Sequence, residues 1–224
     1  MVPPRSWGMR KRLPRSAPAA ATAATVTERF GPEYYRRFYG NPRTRVSDAP
    51  TIGKLAAFVA AYLRHLDVAV HSILDMGCGV GHWQPAARTQ WPRAKYHGVE
   101  FSEFQCREHG WTRGSVLDFA PQQALGRDQF DLVVCQGVLQ YLDASAARRA
   151  IDNLAQWTGS ALYLEALTTH DWEQSCDRDR TDGDVHLRSG AWYRRQLDGH
   201  FTALGGGLFV KKDADVTLFE LEAP

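Results

Sequence analysis

The sequence predicts an α/β fold: a seven-stranded, mostly parallel sheet with helices on both faces and a C-terminal antiparallel hairpin. Three observations predict it. From Ser72 onward short apolar runs alternate with helical stretches; the first of these runs leads into glycines at alternate positions, Gly77, Gly79 and Gly81; and the chain ends in two strand-like runs with no helix between them. A length of 224 residues suits one such domain and its core.

Residues 1–27 are rich in Ala, Pro, Arg, Ser and Thr and lack hydrophobic periodicity. They read as a disordered or leader segment, with a transit peptide as the alternative. Five cations, Arg5, Arg10, Lys11, Arg12 and Arg15, precede the first acid, Glu28, and outweigh the net charge of +2, so the remainder is slightly acidic. That balance argues against a broad phosphate-binding face, and no nucleic-acid partner is expected. No apolar run approaches the ~20 residues of a bilayer span, so no membrane partner is expected either. Cys78, Cys106, Cys135 and Cys176 show no paired spacing and read as reduced thiols of a cytoplasmic protein.

Residues 28–50 form a unit of their own: an aromatic-rich helix, Glu28 to Tyr39, stopped by Gly40-Asn41-Pro42, and a linker. The main domain spans 51–224. It opens with Thr51 as a helix N-cap, followed by the apolar stripe Ile52, Leu55, Phe58, Val59, Tyr62, Leu63 and Leu66, which reads as core. Strands are expected at Ser72–Met76, Lys95–Phe101, Gly114–Leu117, Phe130–Gln136 and Ala161–Ala166. Helices are expected at His82–Gln90, Ser102–His109, Asp143–Trp157 (with Asp143 as N-cap) and Ser189–Leu197. His200–Lys212 and Val216–Glu222, joined by Asp213-Ala214-Asp215, then pair antiparallel, because a parallel crossover needs a dozen or more residues.

The segment Ile73-Leu74-Asp75-Met76-Gly77-Cys78-Gly79-Val80-Gly81 carries the chemistry. Its glycines let the backbone turn and approach a ligand closely, and the helix behind it offers free N–H groups. A dinucleotide fingerprint would put its third glycine at position 82, which is His, and Asp75 would repel a pyrophosphate. A cofactor bearing an ammonium group would welcome that acid. Glu100, ending the second strand, can accept hydrogen bonds from both hydroxyls of a ribose.

These residues carry a family resemblance. ILDMGCGVG resembles motif I of the class I S-adenosylmethionine-dependent methyltransferases, and HGVEFS their acidic second motif. WTRGSVLDF and FDLVVCQGVLQYL resemble the third- and fourth-strand segments, over a similarity running from about Thr51 to Pro224. The resemblance implies S-adenosyl-L-methionine as cofactor and S-adenosyl-L-homocysteine as product. It implies that Asp75, Gly77, Cys78 and Gly79 hold the methionine end and that Glu100 binds the ribose hydroxyls. Phe101 would lie against the adenine, Ser115 and Val116 would contact its edge, and Gln136 would sit near the sulfonium. Many relatives carry an Asp where this chain has Ser115, and often a His where it has Gln140. The aromatic cluster Tyr34, Tyr35, Phe38 and Tyr39 resembles the N-terminal lid helix of small-molecule methyltransferases.

Acceptor residues are sought at the C-terminal strand ends, where open α/β sheets bind ligands. Glu165 and His170 are the candidate catalytic groups, and Tyr35, Tyr39, Gln140 and Trp172 the candidate pocket. Asp171–Asp184 holds six acids and two arginines and reads as a solvated loop, a cationic acceptor being one alternative. A metal at Glu165, His170, Asp171 or His186 is another, though none is expected. The activity expected is methyl transfer to a small-molecule acceptor. The alternatives are a protein side-chain methyltransferase and a non-catalytic binding module of the same fold; the oligomeric state is left open.

Overall fold

The computed structural model describes residues 29–222, so the expectation for 1–27 lies outside the described residues. A short helix α1 (Pro32–Tyr35) runs on into a π-helical turn at Arg36–Gly40, and α2 spans Ala49–His65. The alternation then runs β1 (Ser72–Met76), α3 (Trp83–Gln90), β2 (Lys95–Glu100), α4 (Glu103–His109), β3 (Thr112–Arg113), α5 (Pro121–Leu125) and β4 (Phe130–Gln136). A 3-10 turn at Leu139–Tyr141 leads to α6 (Ala144–Trp157), β5 (Thr158–Glu165), α7 (Thr169–Gln174), α8 (Gly190–Leu197), β6 (Phe201–Gly205) and β7 (Leu208–Lys211).

The seven strands lie in the order β3-β2-β1-β4-β5-β7-β6. β7 alone runs against its neighbours. All five residues of β1 are buried, as a central strand covered on both faces requires. Strand alternation divides the core. Leu132 and Val134 of β4 join Ile73, Val59, Leu63 and Trp83 on the α2–α3 face, whereas Val133 and Cys135 join Leu74, Ile151, Leu154 and Leu197 on the α6–α8 face. Among the described residues no helix is long and apolar enough to cross a membrane. The four cysteines carry free thiols, Cys135 fully buried.

Three boundaries and one core residue depart most from expectation. The N-cap of α2 is Asp48, not Thr51; its carboxylate accepts from the Thr51 N–H at 2.9 Å, and Pro50 fits the first turn because no intrahelical bond is needed there. β3 is Thr112–Arg113, and Gly114–Leu117 instead begins a turn in which the Ser115 carbonyl accepts from the N–H groups of Asp118 and Phe119. The hairpin lies wholly within 201–211: the chain reverses at Gly205-Gly206-Gly207, all at positive φ, and Val216–Glu222 forms no strand. Phe58 is not core. It is 43% exposed and lies over that glycine turn, where a Cβ on Gly206 would come within 2.9 Å of its ring.

Candidate active site

The glycine loop leaves β1 where the strand order switches from β2 on one side to β4 on the other. The N–H groups of Gly77 and Cys78 donate to the Val99 carbonyl of β2 at 2.8 and 3.1 Å, and Gly81 N–H closes a turn onto Cys78 O at 2.8 Å. Gly77, at φ +79°, has no room for a side chain: a Cβ would stand 2.3 Å from Val138 Cγ2. Trp111 buttresses the loop, its indole N–H donating to Gly79 O at 3.0 Å and its ring lying against Gly81 and Gly98.

Glu100 ends β2 almost completely buried. One carboxylate oxygen accepts from Gly79 N–H at 2.8 Å; the other accepts from Ser102 N–H at 2.8 Å and from the Tyr35 hydroxyl at 3.4 Å. Burial pushes its pKa above the usual carboxylate range, and these donors oppose the shift. Asp75 is also buried and accepts from the Tyr96 hydroxyl. Burial pushes its pKa up to about 7, with the Tyr96 bond opposing and the nearby Glu100 charge adding. The two acids thus flank the loop at the end of β1 and β2.

A cavity of about 720 Å³ opens beside the loop, large enough for a cofactor and a small second ligand together. Asp75, Gly77, Cys78, Gly79, Gln136, Gln140, Glu165 and Tyr39 all line it. β4 and β5 align Gln136 with Glu165 in register. The Gln136 amide donates to Glu165 Oε2 at 3.2 Å and accepts from the Trp83 indole at 2.8 Å, and the Tyr163 hydroxyl donates to the same Glu165 oxygen at 2.9 Å. Gln140 is buried on the 3-10 turn, its amide oxygen without a partner among the described residues. Overhead, Tyr34 and Tyr141 share a hydroxyl–hydroxyl bond of 2.8 Å.

The other expected residues fall outside this cavity. Tyr35 turns toward Glu100 and borders a second, smaller cavity of about 370 Å³ with Tyr39 and Phe104. Phe101 is half-buried beside Glu100; Ser115 and Val116 sit past β3, where the Val116 side chain is core and its carbonyl accepts from Asn153 at 2.9 Å. His170 is exposed on α7 and does not line the cavity. Trp172 faces its own loop, packed on Gly183 and under the Arg178 guanidinium at 5.1 Å.

Of the acidic stretch, Glu173, Asp177, Asp179 and Asp184 are exposed, while several acids also have protein partners. Asp171 forms a capping box with Thr168, Asp182 pairs with Arg29 at 3.0 Å, and Asp177 pairs with Arg180 at 3.3 Å. Among the described residues no group of three or more His, Cys, Asp and Glu side chains could hold a metal ion. Tyr96, Trp83, Tyr163 and Trp111, the partners that orient Asp75, Gln136, Glu165 and the loop, carry no signal in the sequence. Tyr96 meets Asp75 through the β1–β2 pairing and Tyr163 lies two residues before Glu165 on β5, whereas Trp83 comes from α3 and Trp111 from the loop before β3.

Residues 74–159 match the family described as methyltransferase domain. No curated protein matches the chain significantly in sequence. Among solved structures it is similar to magnesium protoporphyrin IX methyltransferase (ChlM) from Synechocystis PCC 6803 with bound SAM, at 18% identity and TM-score 0.58, covering 87% of this chain and 100% of that one. It is also similar to the plantazolicin methyltransferase BpumL in complex with SAH and a pentazolic desmethylPZN analog, at 14% identity and TM-score 0.57, covering 79% and 74%. An O-methyltransferase family protein from Burkholderia thailandensis gives 17% identity and TM-score 0.53, covering 84% and 64%. The matched domain contains the glycine loop, Glu100 and β4, and the strand order agrees with these folds, so the chain is a class I methyltransferase-fold protein.

Proposed function

We propose that the protein is an S-adenosylmethionine-dependent methyltransferase acting on a small molecule held in the 720 Å³ cavity. The observation that carries this reading is the pairing of Glu100 with the glycine loop: a buried carboxylate bonded to Gly79 N–H, beside a loop in which Gly77, Gly79 and Gly81 all take positive φ. The donor set suits S-adenosylmethionine. Asp75 and the close-approach glycines offer the methionine end an acid and bare backbone, Cys78 lying among them. Glu100 offers the ribose two acceptor oxygens, Phe101 an aromatic face, and Ser115 and Val116 the edge of the adenine site. Gln136 borders the cavity at the end of β4 and faces the reaction centre. The solved relatives named with bound SAM or SAH support the same choice.

The bound cofactor supplies a methyl group on a sulfonium, and alignment is the protein's main task. Holding the reactants in attack geometry is worth roughly 7–11 kcal/mol of the barrier. Glu165, held by Tyr163 and Gln136, is the group in place to take a proton from the nucleophile. Tyr39 and the Tyr34–Tyr141 pair roof the cavity and exclude water, as a lid does. A small-molecule acceptor is favoured because Glu165 and Gln140 lie within a cavity of about 720 Å³.

The reading is tested by incubating the protein with methyl-labelled S-adenosylmethionine and a cell extract divided into small-molecule and protein fractions. Label in the small-molecule fraction is expected. Label confined to protein would favour the protein side-chain alternative, and no transfer to either fraction would favour the non-catalytic binding module.

A further inference from the structure

The cavity walls carry an imbalance of hydrogen-bonding groups. Three basic side chains reach them, Arg45, Arg180 and His82. Arg45 is spent on Asp48 at 2.8 Å and Arg180 on Asp177 at 3.3 Å. Burial lowers the pKa of His82, disfavouring its charged form. Two acceptor oxygens, by contrast, are left over among the described residues. Both protein bonds to Glu165 fall on Oε2, so Oε1 is free. Gln140 is only 9% exposed, and its amide oxygen has no partner.

The buried Gln140 oxygen is costly to leave without a donor, and a ligand donor repairs it. Glu165 is exposed at the cavity wall, its Oε1 open to a ligand. Around these oxygens stand the rings of Tyr34, Tyr39 and Tyr141, whose hydroxyls burial holds in the neutral form. Aromatic faces attract cations. Among the described residues an anionic ligand would meet no uncommitted positive group here. A neutral hydroxyl could donate to either oxygen but carries no charge to pair with Glu165 or with the ring faces.

We propose that the methyl acceptor is an amine, bound as a cation with its nitrogen between Glu165 and Gln140 and its body against the tyrosine rings. This rests on the methyltransferase reading above and assigns its substrate class. The acidic stretch Asp171–Asp184 is not the source of the recognition, since its cavity-facing acids are committed to Thr168, Arg29 and Arg180. Before attack the ammonium gives one proton to Glu165 Oε1. The nitrogen lone pair then forms the new N–CH3 bond as the carbon–sulfur bond breaks, leaving its electron pair on sulfur as a neutral thioether.

The test is calorimetric titration of the protein saturated with S-adenosylhomocysteine. The probes are benzylamine, phenethylamine and tyramine, each beside the alcohol and carboxylate of the same skeleton. The amines are expected to bind at least about tenfold more tightly than their counterparts. Glu165→Gln and Gln140→Leu should each reduce that preference to within about threefold, while Gln140→Glu, which keeps an acceptor there, should retain it. Binding of S-adenosylhomocysteine reports that each variant is folded, and the Gln140 pair decides if Glu165→Gln loses it through Gln136. Amines that fail to bind, alcohols or carboxylates that bind as well, or a preference that survives Gln140→Leu would overturn the assignment while leaving the methyltransferase reading standing. Wild-type protein that binds no S-adenosylhomocysteine would overturn both.

Discussion

Asp75 lies at the end of β1 with its carboxyl buried against the Tyr96 hydroxyl, and burial raises its pKa to about 7. In the unfolded chain the value is about 3.9. Folding therefore takes up a proton between these values, so the contribution of Asp75 to stability is greatest below about pH 4 and is lost as pH rises through about 7. Asp75→Asn removes the buried charge. Urea unfolding at pH 8 should find the variant more stable by on the order of 2 kcal/mol, with the gain gone near pH 4; a variant weakened at pH 8 would refute this account of Asp75. The same carboxyl is proposed to meet the ammonium of the cofactor, which favours its ionised form. Cofactor affinity should accordingly rise between pH 6 and pH 7.5, by up to about tenfold per unit, and lose that slope in Asp75→Asn. Gly77 sets a second constraint at this scale. Its φ of +79° and the Val138 methyl, which a Cβ would meet at 2.3 Å, leave no tolerance. Gly77→Ala should cost about 2–4 kcal/mol in denaturant unfolding, and a loss under ~1 kcal/mol would mean that the loop can move aside.

At the scale of elements, Arg188 ties α8 to the turn that carries Gln140. Its guanidinium is buried and donates to the carbonyls of Leu139, Leu142 and His186 and to the Tyr193 hydroxyl. Arg188→Met should destabilise by about 2–4 kcal/mol, and Arg188→Lys should recover little of it because an ammonium lacks the planar fork. Arg188 is not legible in the sequence, since its partners are mostly backbone carbonyls and periodicity is blind to them. Asp143 is legible: it caps α6 by accepting from Ala146 N–H at 2.8 Å, and Asp143→Ala should cost about 1 kcal/mol in thermal unfolding. β1 and β4 can be read because they are largely apolar runs buried in the sheet, and β2 because its buried end runs through Val99 to Glu100 just ahead of the Ser102 helix cap. The hairpin departs from expectation for a physical reason. Gly205-Gly206-Gly207 is itself the turn, whereas the alternation in Val216–Glu222 suits a strand that finds no partner. Asp48 is hidden as a cap because Pro50 stands between it and the apolar stripe, although proline is welcome in a first helical turn.

Over the whole molecule, the switch in strand order between β2-β1 and β4-β5 creates the crevice, and the residues that fill it come from every layer. Asp75 arrives from a strand end, the tyrosines from α1, the π-helical turn and the 3-10 turn, and Asp177 and Asp182 from the loop after α7. Arg29, bonded to Asp182 and lying 4.9 Å from the Tyr141 ring, joins the N-terminal segment to that loop across the cavity mouth. The candidate cofactor residues are legible because motif I and the acid after β2 are local in sequence. The acceptor side is legible only in part: Glu165, Tyr39 and Gln140 come together at the cavity, whereas His170, Tyr35 and Trp172 do not, because it is assembled from four separate segments. The most direct test of the central claim is calorimetric titration with S-adenosylmethionine and S-adenosylhomocysteine, with NAD and NADP as controls, on the wild type and Glu100→Gln. The account predicts binding of the sulfonium compound and its product alone, weakened at least about tenfold in the variant. Binding of the dinucleotides instead, or of none of the four, would contradict it.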